Sequence, residues 1–215
     1  SNVVGSDTSR RAVLGVSGSP GKIVNLSVRT VAGTGSETLI VGFVVAGAGD
    51  KPVLLRGVGP SLAPFGVDGF LADPELALYR DTVRMAANDD WGETPEPEVM
   101  ADVMRRAGAF PLGLRSLDSA LFVALQRGSY SAQLAGRSGT GIGLVELYDT
   151  SAGLPSRLAN VSARSWVGRG SDVLIAGFVI VGGSSKTVLI RGIGPSLTAF
   201  GVTGVLSDPQ LVINR

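Results

Sequence analysis

The densest set of potential ligand oxygens lies in the stretch NDDWGETPEPE, where Asn88, Asp89, Asp90 and Glu93 fall close together and Asp102 follows. Calcium is held by several carboxylate and amide oxygens of this kind, which makes these four residues a candidate calcium site. Their spacing differs from the loop of about twelve residues in helix-loop-helix calcium proteins. Asn, Asp and Gly are also ordinary turn residues, so a plain turn followed by acids at a helix start fits the same stretch. Asp89 and Asp90 are neighbours and would point to different sides of a strand end, which does not suit the facing carboxylates of a glycosidase.

Other chemistry is narrower still. The chain has no cysteine and no histidine, which removes thiolate metal sites, disulfides, the usual zinc ligand and the usual general base. No nucleophile can be placed beside a base, since the serines fall in turns or on alternating strand positions, and no catalytic residues are expected. The phrase GVGPS, from Gly57, lacks the helix start and the Lys-Ser/Thr pair of a phosphate loop, so it is expected to be a corner turn. Arg56 and Asp73 flank that corner and recur as Arg191 and Asp208, and all four are expected to be structural: a guanidinium between strand and loop can bind a carboxylate or orphan carbonyls. The sequons at Asn25 and Asn160 share one repeat position and are attributed to the repeat.

The elements that would position these residues follow from composition and repetition. With 215 residues, 44% apolar and 17% charged, the chain can bury a sizeable core. Its formal net charge of +1, spread without blocks, offers no footprint for nucleic acid. The apolar run TLIVGFVVAGAG is too short for a membrane-spanning helix, which needs roughly 20 residues. The N-terminal SNVVGSDTSRR has no signal-peptide pattern.

RGVGPSLAPFGVDGFLADP, from Arg56, returns as RGIGPSLTAFGVTGVLSDP from Arg191, a spacing of 135 residues. At that spacing residues 25–80 align with 160–215 without a gap, and 30 of 56 pairs are identical. AVLGV (residues 12–16) falls opposite LYDTS (147–151). The expected organisation is an N-terminal arm over 1–24 that represents the tail of a preceding unit, a first copy over 25–80, a sandwich portion with a short helix over 81–157, and a second copy over 158–215. The frame is that of a window on a tandem array. The arm is expected either to add to a neighbouring molecule's open sheet or to fold back on its own chain.

NLSVRTVA, TLIVGFVVAG, PVLLRGV, ELALYR, VRMAAN, ALFVALQ, SYSAQLAG and GLVELYD are short, apolar and bounded by Gly, Pro, Ser and Asp, which predicts strands. The fold class is therefore all-β, a jelly-roll-like β-sandwich repeat module with one helix inserted at TPEPEVMADVMRRAGAF. Val99, Met100, Val103 and Ala107 recur at helical spacing and are expected to cover the sandwich. LIVGFVVAG and VLIAGFVIVG are apolar on both alternating faces, and the two copies are expected to share one backbone and pack together through these strands.

LALYRDTVRMAANDDWG, followed by ALFVALQRGSYSAQLAGRSGTGIGLVELYD, resembles the bacterial pre-peptidase C-terminal (PPC-like) β-sandwich, in which an L-x-L-Y…NDD strand pair precedes an L-x-x-G-x-Y hairpin. With SVRTVAGTGSETLIVGFVV and LLRGVGPSLAPFGV the chain is similar to tandem repeats of large secreted bacterial proteins. The resemblance implies export and an extracellular or cell-surface location. The function expected is that of a non-enzymatic structural, self-assembling module, head-to-tail by strand donation, with a carbohydrate-binding or adhesive accessory module as the alternative. Implied partners are like units, in a homo-oligomer or as neighbouring repeats, with polysaccharide under the alternative and neither nucleic acid nor membrane insertion. No cofactor is expected beyond the candidate calcium.

Overall fold

The computed structural model describes Val13, Leu14 and residues 20–214 other than residue 152. Most of the arm expected over residues 1–24 lies outside the described residues. The described chain divides into two units, Lys22–Val181 on one side and the segments Ser1–Gly21 and Gly182–Arg215 on the other.

In chain order the strands are β1 (Val13–Leu14), β2 (Lys22–Ala32), β3 (Leu39–Ala46), β4 (Lys51–Val58), β5 (Pro74–Arg80), β6 (Val83–Asn88), β7 (Ser119–Leu125), β8 (Gly128–Gly136), β9 (Gly141–Asp149), β10 (Arg157–Arg164), β11 (Ile175–Val181) and β12 (Lys186–Thr187). One α-helix, α1 (Pro97–Arg106), lies between β6 and β7.

The larger unit is an all-β sandwich of two five-stranded antiparallel sheets. The first has the order β11-β2-β9-β4-β7 and the second β10-β3-β8-β5-β6. Period-two patterning decides which side chains meet between them. Leu26 and Val28 of β2, Val53 and Leu55 of β4 and Val145 and Leu147 of β9 come from one sheet. They meet Leu39, Val41 and Phe43 of β3, Leu76 and Leu78 of β5 and Tyr130, Ala132 and Leu134 of β8. Phe43 stacks on Tyr130 with ring centroids 5.6 Å apart, adding an aromatic pair at the centre.

β4 is apolar on both faces because both are covered. Leu54 and Val58 point away from the sandwich core, and with Ala120 and Tyr148 they meet Leu62, Trp91, Met104 and Leu112 in a second core. The helical insertion thus lies over the outer face of the first sheet. Its buried residue is Met104, with Met100, Val103 and Ala107 partly covered, whereas Val99 is exposed. The expected helix face is therefore turned toward Met104, because the floor it meets is the side of β4 and β9.

The corner after β4 is a 3-10 helix, Pro60–Phe65, closed by Gly66 in the left-handed region, with Gly69 also at positive φ. It recurs as Pro195–Phe200 with Gly201. A Cβ on Gly59 would fall 1.9 Å from the carbonyl oxygen of Leu71, and one on Gly194 would fall 2.0 Å from that of Leu206, 135 residues on in both partners. The two corners therefore share a conformation, but the strands around them do not. Counterparts of β4 and β5 fall near residues 186–193 and 209–215, where the only strand among the described residues is the two-residue β12. The expectation of one backbone for both copies holds at the corner and fails at those strands.

The copies also meet differently from the expected face-to-face packing. β10 pairs with β3 and β11 pairs with β2, edge to edge, so main-chain hydrogen bonds join them rather than a buried third layer. Gly59→Ala is expected to destabilise the larger unit by roughly 2 kcal/mol or more, because backbone must move to admit the methyl group. Chemical denaturation followed by circular dichroism checks this.

Candidate assembly surface and its buried charges

Arg56 lies on β4 directly across from Glu146 of β9, on the face beneath the helical insertion. Its Nε stands 3.1 Å from Glu146 Oε2, its Nη1 donates to the carbonyl of Phe110 at 2.7 Å, and its guanidinium sits 4.3 Å from the centroid of the Phe110 ring. Tyr148 donates to Glu146 Oε1 at 2.7 Å. Burial, reinforced by the Glu146 charge beside it, pushes the Tyr148 hydroxyl well above the usual phenol range, so it stays protonated and donating. Arg56 is fully buried; the ion pair, carbonyl and ring offset part of its desolvation, while its Nη2 is buried without a hydrogen-bond partner.

The carboxylate that holds Arg56 is thus Glu146, from the adjacent strand. Asp73, expected as part of the lock, is half-buried after the corner, and its carbonyl accepts from the Arg137 amide at 2.9 Å. The corner itself is clamped by Asp118, a residue the sequence did not single out. Asp118 Oδ1 accepts from the Gly59 amide at 2.7 Å and the Ser61 amide at 3.4 Å, and Oδ2 accepts from the Ser61 hydroxyl. A second buried pair joins Lys51 to Asp149 at 2.5 Å, with Lys51 also donating to the carbonyls of Ser156 at 3.0 Å and Ser151 at 3.2 Å. A charge flanked by apolar residues, as Glu146 is in GLVELYD, was the available signal. Arg191 and Asp208, the counterparts of Arg56 and Asp73, are exposed.

The candidate calcium ligands have other partners. Asn88, at the end of β6, accepts from the Ala120 amide of β7 at 2.8 Å and donates to the Asp90 carbonyl at 3.0 Å. Because β6 and β7 are the last strands of opposite sheets, the Asn88 amide stitches the sandwich shut at that end. Asp89 pairs with Arg137, and Asp90 precedes the single 3-10 turn Trp91–Glu93. Asp90 Oδ1 is buried without a hydrogen-bond partner. Burial, with Glu93 and then Asp73 as like charges, raises the Asp90 carboxyl above its ordinary value. Asp102 pairs with Arg105 and Arg106 on the exposed side of α1. Among the described residues no group of three or more Asp or Glu converges as a metal site would require.

At the other end of the sandwich β10 and β11 are the last strands, with one hydrogen-bonded neighbour each among the described residues. Their pairings are one pattern written twice. Arg29 faces Ile175 and Arg164 faces Ile40; Leu26 faces Phe178 and Val161 faces Phe43. Each pair becomes the other when both members are moved by the 135-residue spacing and exchanged. The irregularity recurs too, between Val179 and Ile180 in one ladder and between Leu158 and Asn160 in the other. β11 leaves Ile175, Val179 and Val181 exposed.

In the smaller unit Val13–Leu14 pairs with Lys186–Thr187. There Leu189, Ile193, Phe200, Leu206, Val212 and Ile213 are exposed. Among the described residues no helix is long and apolar enough to cross a membrane. No protein-family model, curated protein or solved structure matches the chain.

Two outcomes follow. Arg56→Ala is expected to cost ~3–5 kcal/mol, since Glu146 would be left buried and unpaired, whereas Arg191→Ala should change stability by no more than about 0.5 kcal/mol; urea denaturation of the two variants gives the comparison. Asp90 has a folded pKa above its unfolded one, so its ionisation opposes folding, fully so above the folded pKa and not at all below the unfolded one. Asp90→Asn should therefore raise the melting temperature at neutral pH, and that advantage should disappear as pH falls through the Asp90 titration.

Proposed function

We propose that the chain is a non-enzymatic structural module whose units associate through sheet edges, in an extracellular or cell-surface protein of the PPC-like kind that its motifs resemble. The observation that carries this is the twice-written pairing of β2 with β11 and β3 with β10. Two segments related by the 135-residue spacing grip each other reciprocally, which is how a self-complementary interface between like units is built. Edge strands with open main-chain groups recruit further strands, and β10 and β11 present such edges together with exposed Ile175 and Val179.

The carbohydrate alternative has less support. Sugar contact relies on exposed aromatic platforms, but Trp91 is buried with its indole N–H donating to the Gly113 carbonyl at 2.9 Å. Trp166 is exposed, in a different segment.

Multi-angle light scattering over a range of concentrations tests the proposal. A mass above that of the 22.0 kDa chain, rising with concentration, is expected; a monomer throughout, with binding on a glycan array, would favour the accessory role.

A further inference from the structure

The reciprocal pairing gives each strand of the second copy a defined set of neighbours. In the first copy β3 lies between β10 and β8, and β2 lies between β11 and β9. By the 135-residue spacing β11 corresponds to β3 and β10 to β2. β11 already has β2 and lacks only a β8-type strand; β10 already has β3 and lacks only a β9-type strand. The matching register and irregularity of the two ladders put β11 in the position of β3 and β10 in that of β2, so their open edges correspond to the ones that β8 and β9 cover in the first copy.

The smaller unit points to the same occupant through a separate observation. Leu54 is fully buried and its counterpart Leu189 is 77% exposed; Ala77 is 8% exposed and its counterpart Val212 is 75% exposed. Val58 and Ile193, Leu71 and Leu206, and Leu78 and Ile213 show the same contrast. In the first copy β4 is covered by β7 and β9 at its sides and β5 by β6 and β8. The side chains that differ in exposure are nearly the same; what differs is the presence of those strands. Among the described residues the one strand that pairs within residues 186–214 is β1, which the spacing aligns with Tyr148 and Asp149 at the end of β9.

We propose that these surfaces are docking sites for strands of the same repeat: β8- and β9-type strands at the edges of β11 and β10 and, considered separately in the smaller unit, β7- and β9-type strands at residues 186–193. The partner is a polypeptide with the pattern of residues 119–149. This rests on the proposed structural function and names the partner.

The absence of cysteine makes the test direct, because a single introduced thiol is a unique probe. A chain carrying residues 1–215 followed by a second copy of residues 81–149 keeps the 135-residue spacing. A control extension carries residues 81–118 alone and so lacks the β7- to β9-type strands. Leu189→Cys and Val212→Cys are expected to react with a thiol reagent about tenfold or more slowly in the full extension than in the control. Thr203→Cys should react equally in both, since Thr203 and its counterpart Asp68 are both exposed. As a second measurement, Arg191→Ala should lower the melting temperature of the full extension while leaving that of the control unchanged. Equal thiol reactivity of the Leu189 and Val212 probes in the two extensions overturns the inference. Failure is distinguishable from failure of the structural function, because light scattering of the unextended chain reports association between chains and thiol protection reports which strands fill the surface.

Discussion

Every strand at the end of a sheet carries a row of main-chain donors and acceptors that must find protein or water, and the larger unit is arranged around that requirement. At one end β6 and β7 finish opposite sheets, and the Asn88 side chain bridges them by accepting from the Ala120 amide. At the other end no such stitch is needed within the first copy, because β2 and β3 are not edges at all: β11 and β10 lie beyond them. The connection between β2 and β3 passes from one sheet to the other, so a single neighbouring segment of the same design can extend both sheets at once. Reciprocity is the consequence, and the sandwich core is completed by Phe178 and Val161 from that neighbour.

The same dependence on neighbours decides the fate of charge. Arg56 is tolerated at full burial because β9 brings Glu146 beside it and the helical insertion brings the Phe110 carbonyl and ring. Remove those elements and the same residue type belongs in water, which is where Arg191 stands. Burial of a charge is thus a property of the assembled strands and not of the local sequence RGVGPSL or RGIGPSL. The corner itself behaves in the opposite way: its conformation is set by glycine, proline and close backbone approach, all local, and so it is the same in both places.

That division explains what the sequence made legible. The eight strands of the first unit and the helix were readable because alternation, bounding turns and the Pro-Glu start are local signals. The corner with Gly66 and Gly69 was readable for the same reason. Glu146 as the partner of Arg56 was not, because the pairing depends on β4 lying next to β9, nearly a hundred residues away in the chain. Asp118 was missed since an aspartate before a strand resembles any turn residue until the corner it clamps is in place. The acidic stretch at residues 88–93 drew a calcium reading from its density of oxygens, yet Asn88 bonds the main chain of Ala120 and Asp90, and Asp89 bonds Arg137. The pairing of β10 with β3 and of β11 with β2 left no mark on the sequence pattern, since β3 alternates in the same way whichever strand lies beside it.

High apolar content in the repeated strands therefore has two distinct origins. In β4 it reflects burial on both faces, one against the sandwich core and the other beneath α1 and its flanking loops. In β3 the inner residues Leu39, Val41, Phe43 and Val45 are buried while the alternate residues are only half covered, so no third layer accounts for Ile40 and Val44. Lateral neighbours do: in an antiparallel pair each side chain is flanked across the strand, and a strand with neighbours on both sides shields its outer face better than an edge strand can. β11 shows the difference, having the same kind of sequence but one neighbour, with Ile175 and Val179 about half exposed. Apolar outer faces on β3-type strands thus favour a sheet that continues past them, and the penalty for an open edge falls on the same strands that a further unit would cover.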